Sequence, residues 1–180
     1  MEVQQTENEE TPSVVGYALK FNRDSEDLGF IERIDSHALD QTDMSDVYAL
    51  INHDDNYVLA RTGNNLNLTV DDIGLKFEFK PTNTSYSRDL VDNLKAGLVN
   101  KCSFAFTVAN AGDEWEERDG MYYRTINKIE RLYDVSIVTY PAYSDTEVVL
   151  SQRSRSNFER VKHNRSRELE LLQLYMGNTH

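Results

Sequence analysis

The chain carries one cysteine, Cys102, in 180 residues. A lone thiol excludes an internal disulfide and any multi-cysteine zinc site, and a reducing, cytoplasmic setting is expected. No run approaches the roughly 18 apolar residues that a membrane-spanning helix needs, so no membrane partner is expected. The opening MEVQQTENEETPS lacks the basic start and apolar stretch of a signal peptide. Basic side chains are scarce as well: 19 Lys and Arg stand against 31 Asp and Glu, a net charge of −12. That balance argues against coating nucleic acid, where affinity comes from Lys and Arg on phosphates. The glycines are isolated, so no Gly-rich phosphate cradle is present. His37, His53, His163 and His180 are scattered without an HExxH pair, and the Asp24–Asp27 and Asp71–Asp72 clusters lack calcium-loop spacing. Neither a metal nor a cofactor is therefore expected. A Gly-x-Ser-x-Gly elbow is also missing, which weighs against an α/β-hydrolase.

What is there is unevenly charged. Residues 1–150 hold 13 basic and 28 acidic side chains, whereas residues 151–180 hold 6 basic and 3 acidic. The shift divides the chain into an acidic leader (1–12), a globular domain (13–150) long enough to bury its own core, and a basic tail (151–180). Ser13–Phe21 and Val47–His53 are rich in β-branched, aromatic and aliphatic residues, as strands are. Leu66, Leu68 and Val70, then Leu75, Phe77 and Phe79, alternate with polar residues around a turn at Asp71, Asp72 and Gly74. Trp115–Ile126 reads as a hairpin about Asp119-Gly120, and Leu132–Tyr140 as a strand stopped by Pro141. Tyr86, Leu90, Val91, Leu94 and Leu98 give a helix over Ser85–Gly97 one apolar stripe, with Thr84 or Ser85 as its cap. The tail repeats that spacing from Asn157 to Met176. The expected class is mostly β with a few helices: a closed or nearly closed antiparallel β-barrel with helices packed outside.

Three strands hold residues suited to chemistry. Ala49–His53 ends in a histidine ahead of the turn-like Asp54-Asp55-Asn56, and imidazole suits proton transfer near neutral pH. In Lys101–Val108, Cys102, Phe104, Phe106 and Val108 share the core face, leaving Ser103, Ala105 and Thr107 on a small polar face against which a substrate backbone could lie. A serine there needs a base to become a nucleophile. Cys102 is a rival nucleophile by chemistry, but alternation turns it inward, where a thiol is usually inert. In Leu132–Val138, Asp134 and Ser136 face away from Val135 and Ile137, and an Asp on that surface could orient an imidazole.

In order along the chain, these segments resemble the prohead (capsid maturation) proteases of tailed bacteriophages. That serine peptidase family is similar in fold to the herpesvirus assemblins. The resemblance covers about residues 14–150. It runs through Gly16-Tyr17-Ala18, Phe30–Ile34 and His37-Ala38-Leu39, then Asn52-His53-Asp54, Asp72-Ile73-Gly74-Leu75, Lys101–Phe106 and Asp134–Ala142. Two positions depart from the family pattern: Ala105 stands where glycine is usual, and Asp134 where glutamate is common. The assemblins use a histidine as third catalytic member.

The resemblance implies a serine endopeptidase with Ser103 as nucleophile, His53 as base and Asp134 as orienting acid. It implies phage major capsid protein and scaffold segments as substrates, and action inside the assembling procapsid in the host cytoplasm. Homo-oligomers are compatible with it, and the basic tail is its candidate for a packaging or self-cleaved segment. The alternatives are a catalytically silent scaffold on the same fold, favoured by Ala105 and the short Asp134, and an unrelated β-rich binding domain.

Overall fold

A computed structural model describes residues 12–151. The acidic leader, save its last residue, and the basic tail with its expected helix therefore lie outside the described residues. Eleven strands and one helix follow in chain order: β1 (Ser13–Lys20), β2 (Ile31–Ile34), β3 (Tyr48–Ile51), β4 (Asp54–Arg61), β5 (Leu66–Val70), β6 (Gly74–Phe79), α1 (Ser85–Lys95), β7 (Lys101–Val108), β8 (Asp113–Arg118), β9 (Met121–Ile126), β10 (Ile129–Val138) and β11 (Glu147–Ser151). They form three sheets, ordered β11-β1-β6-β5, β4-β3-β10-β7 and β2-β9-β8.

The mostly β class is found, but two parts of the expected architecture are corrected. Among the described residues no sheet closes on itself, so the expected barrel is not formed. Nor is the pairing all antiparallel: β3 runs parallel to β10, and β2 parallel to β9. The seam where the first two sheets meet shows why closure stops. At Cys102 on β7, the Thr146 hydroxyl takes both backbone groups, donating to the carbonyl at 2.7 Å and accepting the N–H at 3.3 Å. A side chain thus occupies the place of a partner strand's ladder. A backbone bond, Val148 N–H to Asn100 O, crosses nearby at 3.0 Å.

Alternation places the core. Val14, Leu19, Ile34, Leu75, Phe77, Phe79, Ile126, Leu132 and Ile137 are all fully buried in one cluster drawn from every sheet. The Asp119-Gly120 hairpin is as expected, with φ of 51° and 77° and Arg118 paired to Met121. The helix α1 ends where expected: Gly97 has φ 70°, its N–H bonds Leu94 O, and Leu98 N–H bonds Asn93 O. Thr84 is its N-cap residue but makes no side-chain capping bond. Leu98 does not join the apolar stripe; beyond the glycine turn it is 71% exposed.

Two polar devices fix the edges of this core. Glu32 is buried; its carboxylate accepts from Arg124 Nη1 at 3.1 Å and from the Tyr143 hydroxyl at 2.9 Å, while Arg124 Nε bonds Asp113 at 2.7 Å. Burial pushes the Glu32 carboxyl up, opposed by the Arg124 charge and the Tyr143 hydrogen bond. Tyr143 also stacks on Phe104, so this quartet ties β2 and β9 to β7. Near β1, Tyr17 donates to Asp71 at 2.6 Å, and Asp71 accepts the N–H groups of Ile73 and Gly74. A β-carbon on Gly74 would meet Leu19 O at 2.1 Å, so glycine alone lets β1 and β6 approach there.

Gly74→Ala forces β1 and β6 apart and lowers stability by about 1–3 kcal/mol in urea unfolding; an unchanged midpoint would contradict the close approach. The hydrogen bond to Asp71 pushes the Tyr17 phenol up to about 12 from its ordinary 10.0. With the folded value raised, the stabilisation is fully present below the unfolded pKa and disappears as pH rises through the folded one. Tyr17→Phe is therefore less stable than the parent by about 1 kcal/mol at neutral pH, and ultraviolet titration of the folded parent shows a late-ionising phenol that the variant lacks.

Candidate active site

The site begins with a tight turn. Ile51 on β3 pairs with Asp54 on β4, so the connecting loop is Asn52 and His53 alone. Both have left-handed backbones, φ 51° and 57°, which is the two-residue hairpin geometry that matches strand twist. Asn tolerates this region readily and His somewhat less so. The expected turn at Asp54-Asp55-Asn56 is thus corrected by two residues. Those polar side chains open β4, an edge strand, where exposed charge is normal.

The turn is tied down by β10, which lies parallel to β3 with Ile51 level with Ile137. Asn52 N–H donates to Ile137 O at 2.9 Å, and Thr139 N–H donates to Asn52 Oδ1 at 3.1 Å. His53 N–H donates to Ser136 Oγ at 3.2 Å. The backbone that carries the imidazole is thereby held at three points.

The imidazole reaches back to the same strand. His53 Nδ1 and Asp134 Oδ1 are 2.8 Å apart, with side chains 19% and 10% exposed. An ionised carboxylate only accepts, so Nδ1 carries the proton and Nε2 is left as the basic nitrogen. Asp134 Oδ1 also accepts the Ser136 hydroxyl at 2.6 Å.

Ser103 lies one strand further across. On β7 it is level with Ser136, as Ala105 is with Asp134. Period-2 alternation then puts Ser103, Ala105, Asp134 and Ser136 on one face of the sheet. Neighbouring strands are about 4.8 Å apart, so Ser103 lies one strand spacing from Ser136, the residue that bonds both His53 and Asp134. Among the described residues, Ser103 and His53 are not hydrogen-bonded to each other, and catalytic contacts of this kind often tighten only on substrate binding. The face is less open than its composition implies: Ser103 is 5% exposed and Ser136 not at all, whereas Ala105 and Thr107 are half-buried.

The other sequence candidates fall elsewhere. Cys102 is fully buried, and its thiol donates to Tyr17 O at 2.8 Å on the core side of β7. Among the described residues, no cluster of three or more His, Cys, Asp or Glu could hold a metal ion, and no helix is long and apolar enough to cross a membrane. Sequence reasoning missed Asn52 and Ser136 as parts of the site. The signals were an Asn-His pair that fits a two-residue turn, and a serine two residues beyond the aspartate on the same strand face.

A family model described as caudovirus prohead serine protease matches residues 1–161, a span that contains every residue of this site. No curated protein matches the chain.

The position of Cys102 yields a direct check. In the native protein an aromatic disulfide reagent leaves the thiol unmodified, and after denaturation it reacts fully. Rapid labelling under native conditions would restore the thiol as a rival nucleophile.

Proposed function

This chain belongs to the caudovirus prohead serine protease family, and on that premise we propose that it is an endopeptidase with Ser103, His53 and Asp134 as its catalytic groups. The family's role is proteolysis during capsid maturation, with capsid proteins as substrates. The finer reading is cleavage of coat and scaffold segments inside the procapsid, followed by self-cleavage, with the basic segment 151–180 as the packaging or self-cleaved part. The observation that carries it is the 2.8 Å bond between His53 Nδ1 and Asp134, on the sheet face that also bears Ser103.

The steps follow from those roles. Ser103 Oγ attacks the scissile carbonyl carbon while His53 Nε2 takes its proton. The tetrahedral intermediate collapses, the C–N bond breaks, and the imidazolium gives the proton to the leaving amine. Water then attacks the acyl-serine, again losing a proton to Nε2, and the ester bond breaks to release a carboxylate and restore Ser103. Asp134 stays ionised throughout, orienting the ring and stabilising its charged form.

A second reading, a catalytically silent scaffold on the same fold, draws support from the unmade Ser103–His53 bond, from Ala105 in place of the family's usual glycine and from the shorter reach of Asp134. One experiment separates the two. Co-expressed with coat and scaffold proteins, the parent cuts them and Ser103→Ala does not, with a loss on the order of 10⁶-fold; a fluorophosphonate labels the parent at Ser103. Processing that survives Ser103→Ala would reject the assignment, and a parent that neither cuts nor labels in procapsids would favour the scaffold.

A further inference from the structure

We infer that Ser136 is a positioning residue for the imidazole of His53, coupling its backbone to the carboxylate that orients its ring. This inference rests on the reading of Ser103, His53 and Asp134 as nucleophile, base and orienting acid.

A hydroxyl has one proton to give and two lone pairs to accept with. Ser136 uses both functions within the site. Its proton goes to Asp134 Oδ1 at 2.6 Å, and its oxygen accepts the N–H of His53 at 3.2 Å. The same Asp134 oxygen meets His53 Nδ1 at 2.8 Å. A closed ring of contacts results: His53 backbone to Ser136, Ser136 to Asp134, Asp134 back to the His53 ring. One fully buried oxygen therefore ties the backbone of His53 to the carboxylate that meets its ring.

The ring of contacts matters because His53 stands on a left-handed backbone, φ 57°, a conformation that surrounding structure must hold in place. Removing the Ser136 oxygen leaves the His53 N–H without that acceptor. It also leaves Asp134 with one fewer donor and more freedom to rotate about its own side-chain torsions. Both changes loosen Nε2 relative to a nucleophile on the neighbouring strand, and small misplacements at a reacting centre are costly in rate. A packing role alone would need only the volume of a small side chain between Leu50 and Ser103, its neighbours on β3 and β7.

The test uses the full chain with Ser136→Ala and Ser136→Cys. If Ser136 positions the imidazole, Ser136→Ala lowers kcat about 10- to 100-fold with KM changed less than about twofold, because substrate contacts are untouched. In proton NMR, measured in a Ser103→Ala background so that turnover plays no part, the downfield His53 Nδ1–H signal broadens or disappears. Combined with Asp134→Ala, the Ser136→Ala loss is far from additive. A folded Ser136→Ala protein with parental kcat and an unchanged imidazole signal overturns the inference. So does a Ser136→Ala protein that fails to fold while Ser136→Cys folds with parental activity, since volume is then what counts. If instead Ser103→Ala still cuts substrate, the peptidase reading fails; the NMR signal still reports on the Ser136 contacts by themselves.

Discussion

Parallel pairing between β3 and β10 is the constraint on which the site depends. Because Ile51 is level with Ile137, the chain leaving β3 emerges beside Ser136 and Thr139 and turns there. A shift by one residue would send every side chain of β10 to the opposite face. Asp134 would then enter the core and Val135 would face the imidazole. The geometry of the candidate site is thus a property of register before it is a property of any single side chain. That register is held by the apolar residues of the other face, Val135 and Ile137, both fully buried.

The same sheet shows how a polar row can survive in an apolar setting. Ser103, Asp134 and Ser136 are all nearly or fully buried, and a buried carboxylate without partners would be costly. Asp134 has two donors on a single oxygen. Burial then has a chemical use, because hydrogen bonds act more strongly where water is scarce. Cys102, one residue from Ser103, lies across the pleat and makes its bond to Tyr17 instead. Two neighbouring nucleophile types are kept apart by nothing more than strand alternation.

Much of this was legible in the sequence. The period-2 runs Leu66–Val70 and Leu75–Phe79, the Asp119-Gly120 turn and the α1 stripe are local patterns, and local patterns report local structure. The inward turn of Cys102 and the shared face of Asp134 and Ser136 follow from the same alternation. What could not be read was partner choice. Nothing near β3 announces that it pairs in parallel with a strand some eighty residues away, and nothing near Cys102 announces that Thr146 blocks its outer edge. The polar opening of β4 looked like a loop because an edge strand carries the same side chains as one. Leu98 fitted the helical spacing but comes after the glycine that ends the helix. Each miss was non-local or lay at an element's end.

The quartet of Glu32, Arg124, Asp113 and Tyr143 carries a consequence for how this chain tolerates change. Removing Arg124 strands the buried Glu32 carboxylate, at a penalty of about 3–5 kcal/mol, whereas replacing the whole group by well-packed apolar side chains is often neutral. Positions scattered from 32 to 143 are therefore bound into a single unit of substitution: viable descendants keep all four or trade them together.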